Sequence, residues 1–225
     1  MCGRYFLDSA MDAIEAQFAC EAEPTAREQL APRYNLAPTA VVPVVWSAPA
    51  GRVATLHQWG LVPSWSKDPA MGARMANARA ETVAEKPAFR GPFRRGRCII
   101  PASGFYEWQA RPGGPKQPFA IRAADGTLLA FAGLRDQWES PDGCLETCTI
   151  ITTAANAVMA PIHDRMPVLL APGDYAAWLD PAGAPERLRA LLRPCPEAFL
   201  RVYPVSLRVG NVRNDGPELA EPADA

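Results

Sequence analysis

The middle of the chain reads Cys98-Ile99-Ile100-Pro101-Ala102-Ser103-Gly104-Phe105-Tyr106-Glu107-Trp108-Gln109. Short apolar and aromatic runs on either side of Ser103-Gly104 predict two strands, at 98–101 and 105–109. In the second run Glu107 lies between two aromatic residues, where a carboxylate is unusual. Burial would raise the pKa of this carboxyl towards neutrality, which suits a general acid or base, and pairing with an arginine is the alternative.

Strand patterns continue on both sides of this segment. The predicted strands are 41–46, 53–59, 119–122, 128–131, 145–153 and 199–206. Residues 47–52 predict a turn between the first two of them, and residues 61–69 predict a loop. Asp125-Gly126 is a good turn signal and predicts that 119–122 and 128–131 form a hairpin.

Helical patterns gather near the two ends of the chain. In residues 9–20 apolar Met11, Ile14 and Phe18 recur at helical spacing. The other predicted helices are 154–160, 173–179 and 185–192. Because strands dominate the middle without alternating with helices, we predict one α+β domain over residues 1–225, with a mostly antiparallel, barrel-like sheet and flanking helices. The acidic, proline-rich tail at about 214–225 is expected to be partly frayed.

The composition is that of a globular protein. Of 225 residues, 48% are hydrophobic, and no apolar run is long enough to cross a membrane. The first residues lack the pattern of a signal peptide, so we expect a cytoplasmic protein. The six cysteines include no Cys-x-x-Cys pair and there are two histidines, so no metal site is predicted.

Positive charge is concentrated in one segment, although the net charge of the chain is −1. Residues 74–97 contain two carboxylates and seven cations, which are Arg74, Arg79, Lys86, Arg90, Arg94, Arg95 and Arg97. Arginine can contact phosphate through two parallel hydrogen bonds. This basic segment therefore either binds nucleic acid or is a solvated basic face.

Cys2 follows the initiator methionine and precedes a glycine. Removal of Met1 is favoured by a small second residue and would leave an amine and a thiol on Cys2. The amine, with a pKa of about 7.7–8.0, is partly unprotonated at neutral pH, unlike a lysine near 10.4. Such an amine forms an imine with an aldehyde, and the thiol then closes a thiazolidine ring. The alternative is that Cys2 is an ordinary second residue.

Three further segments carry side chains suited to binding or proton transfer. They are Asn77-Ala78-Arg79-Ala80-Glu81-Thr82, Ile162-His163-Asp164-Arg165-Met166-Pro167 and the tryptophan loop, Trp59-Gly60-Leu61-Val62-Pro63-Ser64-Trp65. The first offers an amide and a phosphate-binding arginine, or begins a helix. The second forms a proton relay around His163, or holds a structural histidine. The tryptophan loop stacks on exposed bases, or covers the core.

The order of the motifs is more specific than any one of them. Three further blocks join those above: Met1-Cys2-Gly3-Arg4, Arg33-Tyr34-Asn35-Leu36-Ala37-Pro38 and, near the end, Val205-Ser206 with Val209-Gly210-Asn211-Val212. Over nearly its whole length the chain resembles the SOS-response-associated peptidase (SRAP) family of abasic-site-processing proteins. The chain departs from the family pattern at two positions. Thr39 follows Pro38, and the end of the tryptophan loop carries a single tryptophan, Trp65, where some members have two.

The resemblance implies a DNA-damage protein that binds single-stranded DNA and links covalently to an abasic site through Cys2. It implies that Asn77, Glu107 and His163 complete the catalytic set. The implied DNA-binding residues are Arg4, Pro38, Trp65, Arg79, Thr152 and Arg165. No metal or organic cofactor, membrane or obligate protein partner is implied, and we expect a cytoplasmic monomer that joins the nucleoid during repair. Autocatalytic removal of Met1 and weak lyase activity are further expectations.

Two other functions fit parts of the sequence. Glutamine amidotransferases also begin Met-Cys-Gly and expose Cys2 as a nucleophile, but their later motifs are not recognised in this chain. A non-catalytic module for single-stranded DNA would need only the basic segment and the tryptophan loop. Intact DNA function in a Cys2→Ala variant would favour that module.

Overall fold

The computed structural model describes residues 2–141 and 143–223, which contain thirteen strands and five α-helices. The strands are β1 (Tyr5–Leu7), β2 (Glu21–Ala22), β3 (Arg33–Leu36), β4 (Val41–Ala48), β5 (Gly51–Trp59), β6 (Asn77–Arg79), β7 (Arg97–Ala102), β8 (Gly104–Gln109), β9 (Gln117–Ala123), β10 (Leu129–Ser140), β11 (Gly143–Ala154), β12 (Arg165–Pro167) and β13 (Leu200–Pro204). The helices are α1 (Met11–Phe18), α2 (Pro24–Gln29), α3 (Pro87–Arg95), α4 (Tyr175–Leu179) and α5 (Pro185–Ala190).

Five strands form a closed barrel in the order β11-β10-β7-β4-β5. Neighbouring strands along this order are antiparallel. A short parallel pairing between β5 and β11 closes the ring, with Gln58 opposite Thr147 and Trp59 opposite Cys148. Closure leaves these strands without a free edge. The predicted α+β fold with a mostly antiparallel, barrel-like sheet and flanking helices is confirmed.

A second sheet of five antiparallel strands, β13-β9-β8-β1-β3, packs against the barrel. Aromatic rings join the two sheets: the ring centroid of Tyr5 lies 5.2 Å from that of Trp59 and 5.7 Å from that of Phe131. Phe105 of β8 also contacts Phe131, at 6.0 Å. Since β1 pairs with β8, the residues before β1 lie beside the strand that carries Glu107.

The helices bury narrow apolar faces. α1 buries Met11, Ile14 and Phe18, as their spacing predicts, and ends where Ala19 adopts a left-handed conformation with a φ of 49°. α2, α3 and α4 each contact barrel strands. Among the helices of the described ranges, none is long and apolar enough to span a membrane.

The hairpin predicted around Asp125-Gly126 is wrong. The turn is present, and Gly126 has the positive φ (78°) that glycine favours. However, β9 pairs with β8 and β13, whereas β10 pairs with β7 and β11. The turn therefore carries the chain from the second sheet into the barrel. A turn signal determines the local bend and not the partner of the next strand.

The helix predicted at 154–160 is also wrong. β11 extends to Ala154, and a series of turns follows. The side chain of Asn156 accepts a hydrogen bond from the N–H of Met159 (3.0 Å) and donates one to the carbonyl of Cys195 (3.1 Å). Such side-chain bonds give the backbone an alternative to a helix.

The carboxy-terminal tail makes contacts with the rest of the protein within residues 214–223. Asp215 accepts hydrogen bonds from the N–H groups of Tyr34 (2.5 Å) and Asn35 (3.1 Å). Leu219 is fully buried. Residues 224–225 lie outside the described part of the chain, so fraying there stays a prediction.

Candidate active site

The residues before β1 bring Cys2 to Asn77. The N–H of Tyr106 donates to the carbonyl of Arg4 at 3.0 Å, so the pairing of β1 with β8 extends towards the amino terminus. Asn77, on β6, donates from its side-chain amide to the carbonyl of Cys2 at 2.8 Å. The side chain of Cys2 is fully buried. Two of the four predicted catalytic residues are thus in direct contact, and Asn77 lies in a strand and not at a helix start.

Glu107 is a buried carboxyl in the same neighbourhood. Its exposed fraction is 3%. Burial raises the pKa of this carboxyl, and positive charge on the nearby His163 acts in the opposite direction. The negative charge of Glu107 in turn acts on the thiol of Cys2. A carboxyl that retains its proton closer to neutral pH is suited to act as a general acid.

A hydrogen bond between β8 and the loop before β12 brings His163 to this neighbourhood. The side-chain amide of Gln109 donates to the carbonyl of Pro161 at 3.0 Å. The N–H of Arg165 donates to Nδ1 of His163 at 3.0 Å, so the neutral ring carries its proton on Nε2. If Nδ1 takes a proton, it can form an ion pair with Asp164, whose Oδ1 lies 2.9 Å away. His163 is therefore placed to accept and release protons.

The thiol of Cys2 is neutral at neutral pH. Burial raises its pKa well above that of a free thiol and the charge of Glu107 raises it further, while the N–H of Arg4 acts in the opposite direction. The thiolate is the nucleophilic form of cysteine. This environment therefore does not prepare the sulfur for the first attack on a substrate, and it suits a mechanism in which an amine attacks first.

Arg165 and Arg79 differ in how far the protein engages their guanidinium groups. Arg165 forms a bidentate ion pair with Glu81 and donates to the carbonyl of Thr152 at 2.6 Å. Thr152 is fully buried, and its hydroxyl lies 3.4 Å from the carbonyl oxygen of Ala78. Arg79 is exposed. Arg165 thus connects β12 with β11 and the segment after β6, whereas Arg79 faces solvent.

Arg4 is held by hydrogen bonds within the protein. Its guanidinium donates to Oδ1 of Asn35 at 2.7 Å and to the carbonyl of Val209 at 2.9 Å, and it lies over the ring of Trp108 at 5.9 Å. Asn35 is buried and donates to three carbonyls between residues 209 and 214. Asn35 was not among the predicted site residues. Its place in the Arg33–Pro38 block is the one sequence signal for a role in holding Arg4.

The two residues expected to wedge between bases differ in exposure. Trp65 is 58% exposed, although its loop is held by a hydrogen bond from Nε1 of Trp138 to the carbonyl of Ser66 at 2.8 Å. Pro38 is partly buried in a turn in which Thr39 has a φ of 78°. A positive φ is uncommon for threonine. Trp65 therefore presents a large apolar surface to solvent, and Pro38 presents a smaller one.

One cation of the basic segment is not on the surface. Arg97 is 6% exposed and donates to the carbonyls of Phe93 (2.6 Å), Arg94 (2.8 Å) and Trp178 (2.9 Å). It therefore satisfies carbonyls at the end of α3 and joins that helix to α4. The other six cations of the segment are exposed, so its surface remains basic.

A thiol, an amide, a carboxyl and an imidazole thus meet near the amino terminus, on Cys2, Asn77, Glu107 and His163. They can supply a nucleophile, a group that orients it and two groups that transfer protons. In the two stretches that the structure describes, no three His, Cys, Asp or Glu side chains are arranged to hold a metal ion. Fold and site together define an α+β protein with a candidate nucleophile at its amino terminus.

Comparison with known proteins identifies the family of this chain. The chain belongs to the SOS response associated peptidase (SRAP) family, which matches residues 1–212. It is 42% identical over 224 residues to the abasic site processing protein YoqW of Bacillus subtilis, and this alignment covers 98% of this chain and 99% of YoqW. It is 39% identical over 228 residues to the abasic site processing protein HMCES of Gallus gallus, and this alignment covers 86% of this chain and 67% of HMCES. A crystal structure of a protein from Bacteroides thetaiotaomicron has a TM-score of 0.89 at 26% identity, covering 99% and 100%.

This membership confirms the resemblance seen in the order of the sequence motifs. It also decides against the glutamine amidotransferase alternative, which was based on the Met-Cys-Gly start.

Proposed function

We propose that the chain processes abasic sites in DNA by forming a covalent link through Cys2. The main observation in support is the hydrogen bond of 2.8 Å that the side-chain amide of Asn77 donates to the carbonyl of Cys2. It fixes the backbone of the residue whose amine and thiol would react. Glu107 and His163, which interact with each other electrostatically, lie where protons would have to move.

The reaction begins once Met1 has been removed. The free amine of Cys2 attacks the aldehyde carbon of the ring-opened sugar, proton transfers give a carbinolamine, and loss of water gives an imine. The sulfur then adds to the imine carbon while its proton moves to the nitrogen, which closes a thiazolidine ring. Aldehyde and aminothiol are thus joined with release of one water. Because both nucleophilic groups belong to one residue, the second addition is intramolecular and gains several kcal/mol, roughly, from proximity.

The other residues move protons or orient the nucleophile. Glu107 donates a proton to the ring oxygen as the closed sugar opens, and it then assists the loss of water from the carbinolamine. His163 holds or relays the proton of the sugar hydroxyl. Asn77 orients the Cys2 amine through the Cys2 carbonyl.

Single-stranded DNA bound to a monomer is the proposed substrate complex. Exposed Arg79 is suited to contact phosphate, and Trp65 and Pro38 to pack against the bases that flank the lesion. Arg4, Thr152 and Arg165 would line the site, where their bonds within the protein limit them to positioning and secondary contacts.

Two side reactions follow from the same groups. Once the thiol of Cys2 gives up its proton, its sulfur can attack the carbonyl carbon of Met1, which moves the methionyl group from nitrogen to sulfur and frees the amine. Water then hydrolyses this thioester and releases methionine, which would make removal of Met1 autocatalytic, and a cellular aminopeptidase is the other route. The imine intermediate can also undergo β-elimination, so weak lyase activity is expected. Both reactions require the groups that serve the main one.

Intact mass spectrometry after incubation with an oligonucleotide carrying one abasic site tests the proposal. The protein should begin at Cys2, and its mass should rise by that of the oligonucleotide less one water. Cys2→Ala should abolish the heat-stable adduct, because both the thiol and the thiazolidine ring are lost. Cys2→Ser keeps the amine and should give a weaker, reversible imine adduct.

Cys144→Ala is the matched control, because Cys144 is the exposed cysteine and its loss should leave the adduct unchanged. A normal yield of heat-stable adduct with Cys2→Ala would point to another nucleophile, such as Lys67 or Lys86. Fully active protein that still begins with Met1 would contradict the aminothiol mechanism. Absence of any adduct with wild-type protein, together with intact DNA binding, would favour the non-catalytic module.

A further inference from the structure

A groove of about 710 Å³ lies between α3, β10 and the tryptophan loop, outside the catalytic residues. Its cationic lining from α3 consists of Arg90, Arg94 and Arg95, which are all exposed. Trp65 lines the same groove from the opposite side. The proposed reaction uses none of the three arginines.

The position of α3 against the barrel is closely defined. A Cβ added at Gly96 would lie 2.2 Å from the carbonyl oxygen of Arg135, so the end of this helix touches β10 directly. The N–H of Arg135 donates to the carbonyl of Gly96 at 2.7 Å. Buried Arg97 satisfies the last carbonyls of the helix. Arg90 and Arg94 are four residues apart and therefore share one face of a helix that cannot shift easily.

One carboxylate also lines the groove, and the protein itself uses it. Asp136 accepts a hydrogen bond from the N–H of Gln137 at 3.1 Å and another from the backbone of Ser64, next to Trp65. It therefore helps to hold the tryptophan loop in place. The three arginines of α3 and Arg135, which also lines the groove, outnumber this single engaged carboxylate and leave the groove with an excess of positive charge.

A second hollow, of about 640 Å³, lies on the other side of Trp65. Its lining includes Lys67, Arg74 and Met75, and Met75 precedes the catalytic Asn77 by two residues. Trp65 lines both hollows, so its side chain lies between them. The combined lining has two carboxylates, Asp68 and Asp136, and six cations, which are Lys67, Arg74, Arg90, Arg94, Arg95 and Arg135. The path past Trp65 from Met75 to α3 is therefore basic overall.

The register of β11 gives the length of this path. Ile150 pairs with Asn77, and Thr147 pairs with Asp136 of the groove. These two positions of β11 are about 10 Å apart at roughly 3.3 Å per residue, and β6 and β10 lie on opposite edges of β11, two strand spacings of about 4.8 Å apart. Asn77 and Asp136 are therefore separated by about 14 Å. A flank of only a few nucleotides beside the lesion is therefore long enough to enter the groove.

We infer that the groove of α3 binds the single-stranded flank of the damaged DNA, with phosphates on Arg90 and Arg94 and a base stacked on Trp65. A basic groove next to an exposed aromatic ring is the arrangement that binds unpaired strands without reading their sequence. This inference rests on the proposed function and adds a second contact region to it. The groove holds the strand and takes no part in the chemistry at Cys2.

Binding to an oligonucleotide with a tetrahydrofuran analogue of the abasic site tests this inference, because the analogue has no aldehyde and cannot be crosslinked. In the double variant Arg90→Gln, Arg94→Gln, glutamine keeps the helix propensity and removes the charge. We expect about tenfold weaker binding of a single strand of about 20 nucleotides at low salt, and a log–log salt slope that is smaller by about 0.7 for each phosphate lost. A strand of about 3 nucleotides centred on the analogue leaves one nucleotide on each side, is too short to reach the groove and should show little change.

The matched control is Arg187→Gln, Arg189→Gln on α5, which removes two exposed arginines elsewhere. An equal loss in this control, or no loss with the long strand, would overturn the inference. A loss confined to oligonucleotides with a base-paired flank would assign the groove to duplex DNA and contradict it. Failure of wild-type protein to crosslink a true abasic site would count against the proposed function and leave this binding test unaffected.

Discussion

Each of the two histidines of this protein lies near a glutamate, yet the two neighbourhoods differ. His163 lies near Glu107 and Cys2, and its side chain is 29% exposed. His57 is enclosed by barrel strands, and its side chain is 1% exposed. Its Nε2 lies 2.8 Å from the hydroxyl of Thr55, and its Nδ1 lies 3.6 Å from a carboxylate oxygen of Glu146, which is too far for a hydrogen bond.

Burial and charge explain why only one neighbourhood is suited to chemistry. Burial, and then the positive charge of Arg135, lower the pKa of His57 to about 4, so this ring is neutral at ordinary pH. Glu146 and Ile150, which pairs with Asn77, are four residues apart on β11, or about 13 Å, so the two neighbourhoods can be altered separately. Of the two histidines that lie near a glutamate, the one that solvent and a candidate nucleophile can reach is therefore the one suited to transfer protons.

The largest effect is expected when the glutamate of each neighbourhood, Glu107 or Glu146, is replaced. Glu107→Gln should slow crosslinking about 10²- to 10⁴-fold with little change in DNA affinity, because glutamine keeps the shape of the side chain but cannot exchange the proton. Single-turnover crosslinking with excess oligonucleotide measures this rate. Glu146→Gln is the matched control and should react at the wild-type rate.

The pH profile sharpens the same prediction. Because burial raises the pKa of Glu107, the wild-type rate should fall on the alkaline side through a pKa above the ordinary value, and Glu107→Gln should flatten that limb. Equal rates for wild type and Glu107→Gln across the pH range would make Glu107 a structural residue and require a different acid.

The next largest effect concerns stability and belongs to His57. Its pKa of about 4 in the folded protein lies below the ordinary value of 6.5, so the unfolded chain binds the proton more tightly. The stabilisation is complete above pH 6.5 and is lost as the pH falls towards 4, by on the order of 3 kcal/mol. Urea unfolding at several pH values measures it. His57→Gln should lack this part of the pH dependence, and an unchanged dependence in that variant would show that other groups cause it.

The smallest expected effect is on the crosslinking rate when each of the two histidines is replaced in turn. His163→Ala should slow crosslinking by about tenfold, close to 1.4 kcal/mol, because water can replace a proton relay more easily than a positioned acid. His57→Gln should react at the wild-type rate under conditions in which it is folded. A larger loss with His57→Gln than with His163→Ala, at equal folded fraction, would reverse the assignment of the two neighbourhoods.

Local patterns predicted the individual strands well and the pairing of β4 with β5 across its turn, but they predicted the partners of β9 and β10 wrongly. The strands at 41–46, 53–59 and 145–153 are present and extend slightly beyond the predicted bounds, since alternating apolar residues and turns are local signals. The partners of β9 and β10 depend on contacts across the whole chain, so the hairpin was wrong. α3 was missed because Pro87, Gly91 and Pro92 are poor helix formers, and contacts such as those of Arg97 stabilise it instead.

The candidate site also combines residues that the sequence motifs identify with contacts that they do not predict. Cys2, Asn77, Glu107 and His163 were chosen because the order of motifs resembles a family, and the structure brings them near one another. Their proximity depends on the pairing of Tyr5 with Phe105, which are a hundred residues apart, and no local pattern contains that information. The internal bonds of Arg4 and Arg165 were not foreseen for the same reason, because their partners are distant in sequence.

The late position of β11 has a consequence for synthesis on the ribosome. The barrel closes through the pairing of β5 with β11, so a nascent chain cannot complete it until more than 150 residues have been made. His163 is added later still, whereas the amino terminus leaves the ribosome first. If an aminopeptidase removes Met1, it would therefore meet Met1 on an unfinished chain, whereas the proposed autocatalytic removal would have to wait until the fold has formed. The two proposed routes to a free Cys2 amine would thus be separated in time.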